Sequence, residues 1–265
     1  MAIKLLVADL DGTVLNNKIM EDNSVAAIKR AKKKGVLVTF ATGRMHASAV
    51  KFAREAGIEL PIITCNGAMV KTMAGDVLFE KCIEPALVRE VMDLCFAHDW
   101  HLQWYIDDKL FVKEMKKDTW LGYESVDGIE VCEAKDELDK YSHGVIQMVI
   151  LDRSTEIDVI EETMQKRFGG RLFAPRTASY CIDIVSMGIH KAIGIKKVAD
   201  KYDIASEEIM AIGDSDNDID MLKYAGFGVA MGNAFESLKR VADEITLPCD
   251  EDGFAVAVEK YILDK

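Results

Sequence analysis

The sequence predicts an α/β protein: a parallel-sheet core domain interrupted by an inserted α+β domain. Three observations lead there. Short apolar runs at residues 3–8, 36–41 and 61–64 alternate with helical stretches, the βαβαβ rhythm of a parallel sheet wrapped by helices. The rhythm breaks near residue 83, where hairpins and alternating strands take over. It resumes near residue 189. A chain of 265 residues has room for two domains, and its 49% apolar content suffices to fill their cores.

Residues 3–8 read as a strand buried on both faces, ending in Asp9-Leu10-Asp11-Gly12-Thr13. Asn23 or Ser24 is the expected cap of a helix running to about residue 34, which Gly35 stops. Residues 36–41 form a second strand, ending in Thr42-Gly43-Arg44, and the next helix closes at Gly57. Residues 61–64 form a third strand before Cys65-Asn66-Gly67, and 68–72 with 77–81 read as a hairpin. The expected inserted domain spans 83–188. Its helices are 85–98 and 155–168, and its strands 102–106, 110–113, 145–151, 171–174 and 181–185. The core, 1–82 and 189–265, then continues with a helix from Lys191 and a strand at 209–212. The loop Gly213-Asp214-Ser215-Asp216-Asn217-Asp218 follows, then strands at 228–231 and 244–247 and a helix at 253–262.

The net charge of −12 repels phosphate backbones and anionic lipid, so neither nucleic acid nor a membrane surface is an expected partner. The six cysteines have no zinc-like spacing and read as buried thiols of a reducing compartment. With no signal-peptide pattern in Met1-Ala2-Ile3-Lys4, the expected location is cytoplasmic.

The chemistry concentrates at strand ends, where open α/β sheets collect ligands. Asp9 and Asp11 lie two residues apart as the chain leaves its first strand, and can point into one pocket. Carboxylates held together need a cation or unlike protonation states. Asp214 and Asp218 follow another strand end, and such a set of oxygen ligands suits magnesium. Thr42 and Gly43 offer a hydroxyl and backbone N–H groups to an anion, Lys191 a positive charge, and Asn217 an amide. Asn66 ends the third strand. Taken singly, each has a plain reading: an Asp-Gly turn, a solvated acidic loop, a surface lysine. Those readings leave unexplained why both acidic clusters end buried strands.

Together, in this order, the residues resemble the four motifs of the haloacid dehalogenase superfamily: Asp9-Leu10-Asp11-Gly12-Thr13, Thr42-Gly43-Arg44, Lys191, and Gly213-Asp214 through Asp218. The insertion after Cys65-Asn66-Gly67-Ala68 resembles the Cof-type phosphatases with a C2 cap domain. The resemblance implies a Rossmann-like core, Mg2+ as cofactor and a small phosphate ester, a sugar phosphate or phosphorylated cofactor, as substrate. It implies Asp9 as nucleophile and Asp11 as general acid, then base. The metal would be held by Asp9, the Asp11 carbonyl and Asp214, with Asp218 in support. Phosphate would meet Leu10, Thr42, Gly43, Lys191 and Asn217, with Arg44 and Asn66 as further substrate contacts and the inserted domain against the organic part. Asp11 argues against a dehalogenase, which expels no alkoxide. A phosphomannomutase-type phosphotransferase and a non-catalytic sugar-phosphate sensor are the alternatives. Trp104, Tyr105, Trp120 and Tyr123 are candidates to stack on a substrate ring, although packing within the inserted domain is the simpler expectation.

Overall fold

The computed structural model describes residues 2–115, 129–152 and 156–264. The chain forms two compact units. One comprises Met1–Arg44, Ala49–Phe79 and His190–Lys265, the other Met45–Ser48 and Glu80–Ile189.

The first unit is built on a five-stranded sheet in the order Glu244–Ile245, Phe227–Ala230, Ile209–Gly213, Leu5–Ala8, Leu37–Phe40. Every pairing is parallel. Leu5, Leu6, Val7 and Ala8 are all fully buried, which explains why this strand reads as an unbroken apolar run. Burying each of the larger side chains contributes about 2 kcal/mol. Ala8 stands level with Ile212 on one side and Phe40 on the other. The residues that follow these three strands therefore leave the sheet at the same edge.

Three expectations are corrected in this unit. The third strand, Ile62–Thr64, touches the main sheet through a single parallel bridge, Ala41 to Ile63. It pairs antiparallel with Met69–Lys71 instead. The reason is the turn that follows it: Cys65, Asn66 and Gly67 have φ of 50°, 54° and 93°, and reverse the chain at once. The helix Asp22–Lys33 is capped by Glu21, not by Asn23 or Ser24, which lie in its first turn. The Asn23 amide donates to Asp252 at 2.8 Å instead. The final helix is α-helical only over Gly253–Val258 and widens to a π turn over Glu259–Leu263.

The second unit is a sheet in the order Val131–Glu133, Lys109–Val112, His101–Ile106, Gln147–Leu151, Cys181–Ser186, Leu172–Phe173. Its pairings are antiparallel except the first, which is parallel and involves a strand, Val131–Glu133, absent from the sequence reading. Trp104, Met148 and Ile184 stand side by side in the register and pack with the helices Pro85–Ala97 and Ile157–Phe168. The next row across the sheet is Gln103, Val149 and Asp183, so the opposite face carries polar groups. Trp104 is fully buried and stacks on Phe111 at 6.3 Å, which makes it a packing residue of this core. Trp120, Tyr123 and the predicted helix start at residue 155 lie outside the described residues.

All six cysteines are free; Cys65 and Cys95 are buried, and the other four are only half-buried, so the expectation of buried thiols holds for two. Among the described residues, no helix is long and apolar enough to cross a membrane.

Candidate active site

Asp9 follows the strand Leu5–Ala8 directly, and its N–H is held by the Ile212 carbonyl at 2.9 Å. On the neighbouring strand, Gly213 leads into Asp214. A Cβ on Gly213 would lie 2.5 Å from the Asp218 carboxyl, so only glycine lets Asp218 fold back over the strand end. Asp218 Oδ2 then accepts from the N–H groups of Asp214 and Ser215, at 3.0 and 3.1 Å, and closes the loop on itself. Gly12 serves the facing turn. At φ +78°, its Cβ position is 2.3 Å from Asp214 Oδ2, so the Asp9–Thr13 turn and Asp214 can touch only through glycine.

Lys191 opens the helix Lys191–Lys201, with His190 as its N-cap. Its ammonium donates to Asp9 Oδ1 and Asp218 Oδ1, both at 2.6 Å. It is 1% exposed, among the most deeply buried large side chains. Burial works against the ammonium, but Asp218 and Asp9 outweigh it and hold it above the ordinary lysine range. The helix start is seated from below by the Cys65-Asn66-Gly67 turn. A Cβ on Gly67 would lie 2.3 Å from the His190 carbonyl oxygen and 3.1 Å from Lys191 Cα.

Asp9, Asp214 and Asp218 each offer an oxygen within 4.8 Å of the others. Three carboxylates face one ammonium there. Burial pushes Asp9 up, Lys191 draws it down and Asp218 pushes it up again, leaving its pKa at about 7. Burial, with Asp9 and Asp218 as neighbours, pushes Asp214 up to about 8. A compact, all-oxygen donor set with uncompensated negative charge fits a hard divalent cation. Both oxygens of Asp218 are already engaged, one by Lys191 and one by backbone N–H groups. The structure thus suits Asp218 to orienting its neighbours.

Asp11 is not part of this carboxylate group. Its side chain, 52% exposed, takes a bidentate pair from Arg44, with Nε to Oδ2 and Nη2 to Oδ1 both at 2.6 Å. Asp11 still lies near enough to Asp9 for its charge to push the Asp9 carboxyl up, while its own oxygens pair with Arg44. A planar guanidinium two-point match draws Asp11 toward solvent, away from a site already rich in carboxylates.

Of the remaining predicted residues, Arg44, Thr42, Asn66 and Asn217 are linked by hydrogen bonds. Thr42, 1% exposed, accepts the Arg44 N–H on its hydroxyl at 3.1 Å, and its carbonyl accepts from the Asn66 N–H at 3.0 Å. Gly43 lies between Thr42 and Arg44 in this turn, as Leu10 lies between Asp9 and Asp11. Leu10 is fully buried, and its carbonyl accepts from Val14 at 3.0 Å and Leu15 at 2.7 Å. The Asn217 amide donates to Asn66 Oδ1 at 2.8 Å, and both residues are buried.

One residue of this assembly was missed in the sequence. Asn233 follows the strand Phe227–Ala230 and donates to the Gly12 carbonyl at 3.0 Å. The available signal was Gly232-Asn233 at the end of another predicted parallel strand, the position that drew attention to the motifs at Asp9, Thr42 and Asp214.

Residues 6–258 match the family model of the haloacid dehalogenase-like hydrolases. The chain belongs to that family, on its Cof-type phosphatase branch, and is a phosphoric monoester hydrolase by class. It is 30% identical to the 5-amino-6-(5-phospho-D-ribitylamino)uracil phosphatase YitU of Bacillus subtilis, over 97% of each chain. A haloacid dehalogenase-like hydrolase from Bacteroides thetaiotaomicron superposes with a TM-score of 0.84 at 28% identity, covering 97% of this chain and 99% of that one. A sugar phosphatase of HAD subclass IIB superposes with a TM-score of 0.86 at 26% identity, covering 97% and 98%.

Proposed function

We propose that this protein is a magnesium-dependent phosphatase that moves the phosphoryl group of a small phosphorylated polyol or sugar through Asp9 to water. The observation that carries the reading is the Lys191 ammonium held between Asp9 and Asp218, with Asp214 completing the carboxylate group.

Lys191 fixes Asp9 through Oδ1, and Oδ2 is the oxygen left to attack phosphorus. As the Asp9–phosphorus bond forms, the bond to the leaving oxygen breaks. Asp11, protonated once it has left its pair with Arg44, delivers that proton to the leaving oxygen and becomes the carboxylate. Asp11 then takes a proton from water, which attacks the phosphoryl group on Asp9 and frees phosphate. Lys191, Thr42, Asn217 and the backbone N–H groups of Leu10 and Gly43 stabilise the transferring group, with Arg44 and Asn66 as further substrate contacts. Mg2+ held by Asp9, the Asp11 carbonyl and Asp214, with Asp218 behind them, would offset the charge between carboxylate and phosphate.

The test is phosphate release across a panel in the presence of Mg2+. The panel includes 5-amino-6-(5-phospho-D-ribitylamino)uracil, sugar phosphates, flavin mononucleotide and pyridoxal phosphate. The likeness to YitU supports the first. Release by the native protein and none by Asp9→Asn is the expected result. Phosphate passed to a second sugar hydroxyl instead of water would favour the phosphomannomutase-type reading, and no turnover of any ester would favour a sensor.

A further inference from the structure

Asn233 lies outside the four motifs, yet it joins three separated stretches of chain. Its Nδ2 donates to the Gly12 carbonyl at 3.0 Å and lies 3.5 Å from Asp214 Oδ2. Its Oδ1 accepts from the Cys249 N–H at 2.8 Å. That last bond fixes the amide's orientation, because a backbone N–H can only donate. The nitrogen therefore faces Gly12 and Asp214.

The surrounding loop is pinned on both sides of Asn233. The Met231 N–H donates to the Gly213 carbonyl and the Phe235 N–H to the Asp214 carbonyl, both at 2.9 Å, and the Gly232 N–H donates to Leu247 at 3.0 Å. A Cβ on Gly232 would lie 2.5 Å from the Pro248 nitrogen, so this loop and the 247–249 segment are in direct contact. Asn233 thus reaches the turn after Asp9 from a backbone that is itself tied to the strand and loop carrying Asp214.

We infer that Asn233 is a positioning residue for the divalent-cation site. It sets the separation between the Asp9–Thr13 turn and the Asp214 carboxylate, and so how well their oxygens match the ion. The inference rests on the metal reading proposed above. Residues that orient metal ligands change affinity by about ten- to a hundredfold when removed.

The test is calorimetric titration of the full-length protein with MgCl2, beside thermal unfolding. The variants are Asn233→Ala and Thr246→Val. The latter removes a hydrogen bond from the neighbouring segment, Thr246 Oγ1 to the Gly253 carbonyl at 2.8 Å, without touching a motif. Expected is a ten- to hundredfold weaker Mg2+ affinity in Asn233→Ala alone, with both variants unfolding at somewhat lower temperature. Asn233→Gln, which keeps the amide but displaces it by one methylene, is expected to weaken binding in the same direction and serves if the alanine variant does not fold. Native protein that binds Mg2+ and an Asn233→Ala variant that binds it within about twofold as well would overturn the inference and leave the metal site standing. Native protein that binds no Mg2+ would overturn both.

Discussion

Two ion pairs stand at the strand ends of the core unit, both with contacts of 2.6 Å, in opposite surroundings. Lys191 and Asp9 have side chains 1% and 8% exposed; Arg44 and Asp11 are 17% and 52% exposed. Length therefore says little about what each pair does. The buried one cannot open without stranding charge in the protein interior, at about 3–5 kcal/mol. The outer one contributes about 1 kcal/mol or less, so an anionic ligand can compete for Arg44 and release Asp11. One pair is a fixture and the other is exchangeable.

The largest effect expected is at Lys191. Lys191→Met leaves Asp9 and Asp218 buried without their counter-charge. Turnover is expected to fall about a hundredfold or more. Urea unfolding is expected to show a loss of about 3 kcal/mol with native circular dichroism at low denaturant. Unchanged stability would mean that the buried pair is not the rigid member of the comparison. The sequence assigned this lysine to the site alone; its burial makes it a core residue too.

Asp11→Asn separates the two proton transfers. A sugar alkoxide needs a proton to leave, and nitrophenolate does not. The variant is expected to be nearly inactive on sugar phosphates. On p-nitrophenyl phosphate it should give a burst of about one nitrophenolate per site and then stall, with phosphate on the Asp9 peptide by mass spectrometry. Equal losses on both substrates without a burst would remove Asp11 from proton transfer.

The buried cluster would also make the proposed metal binding pH-dependent. Asp9 and Asp214 are raised from 3.8 to about 7 and about 8, so the folded chain binds these protons more tightly than the unfolded chain does. Stability of the metal-free protein therefore falls as pH rises from about 4 to about 8. On the metal reading proposed above, Mg2+ would bind the ionised carboxylates and offset that fall, so the rise in Tm on adding Mg2+ is expected to be larger at pH 8 than at pH 5. An equal rise at both values would contradict the cluster's role as metal ligands.

The smallest effect on stability is expected for Arg44→Gln, within about 1 kcal/mol of native. Its KM for an anionic ester is nevertheless expected to rise severalfold, because the proposal gives this half-buried cation a contact with the substrate. A change in Tm without a change in KM would make the pair purely structural.

Much of this was legible in the sequence because three of the four motifs, those at Asp9, Thr42 and Asp214, follow largely buried strands of the parallel sheet, while Lys191 opens a helix. An apolar run such as Leu5–Ala8 has one structural reading, and its end marks the functional edge. Partner choice was less legible. Asp11 and Asp218 are aspartates three and five residues past such a strand. Yet one is drawn to a guanidinium at the surface, and the other takes up backbone N–H groups and a buried ammonium. Spacing alone does not encode that difference, which arises from packing around Gly213 and Gly12. Asn233 was missed for a related reason: its contacts are mostly to backbone groups, and those leave no mark in the pattern of charged residues.

The contact of Gly67 with the His190 carbonyl has a consequence for how the protein can change over time. Chain leaving the core unit after Phe79 returns at His190. The backbone at that return point rests on a glycine met before departure. The seat of the lysine is thus made by core residues at both ends. What lies between them, from Glu80 to Ile189, can be lengthened, shortened or exchanged without altering that seat. Reaction chemistry and the inserted unit are free to evolve at different rates, and Gly67→Ala is the kind of change that would couple them.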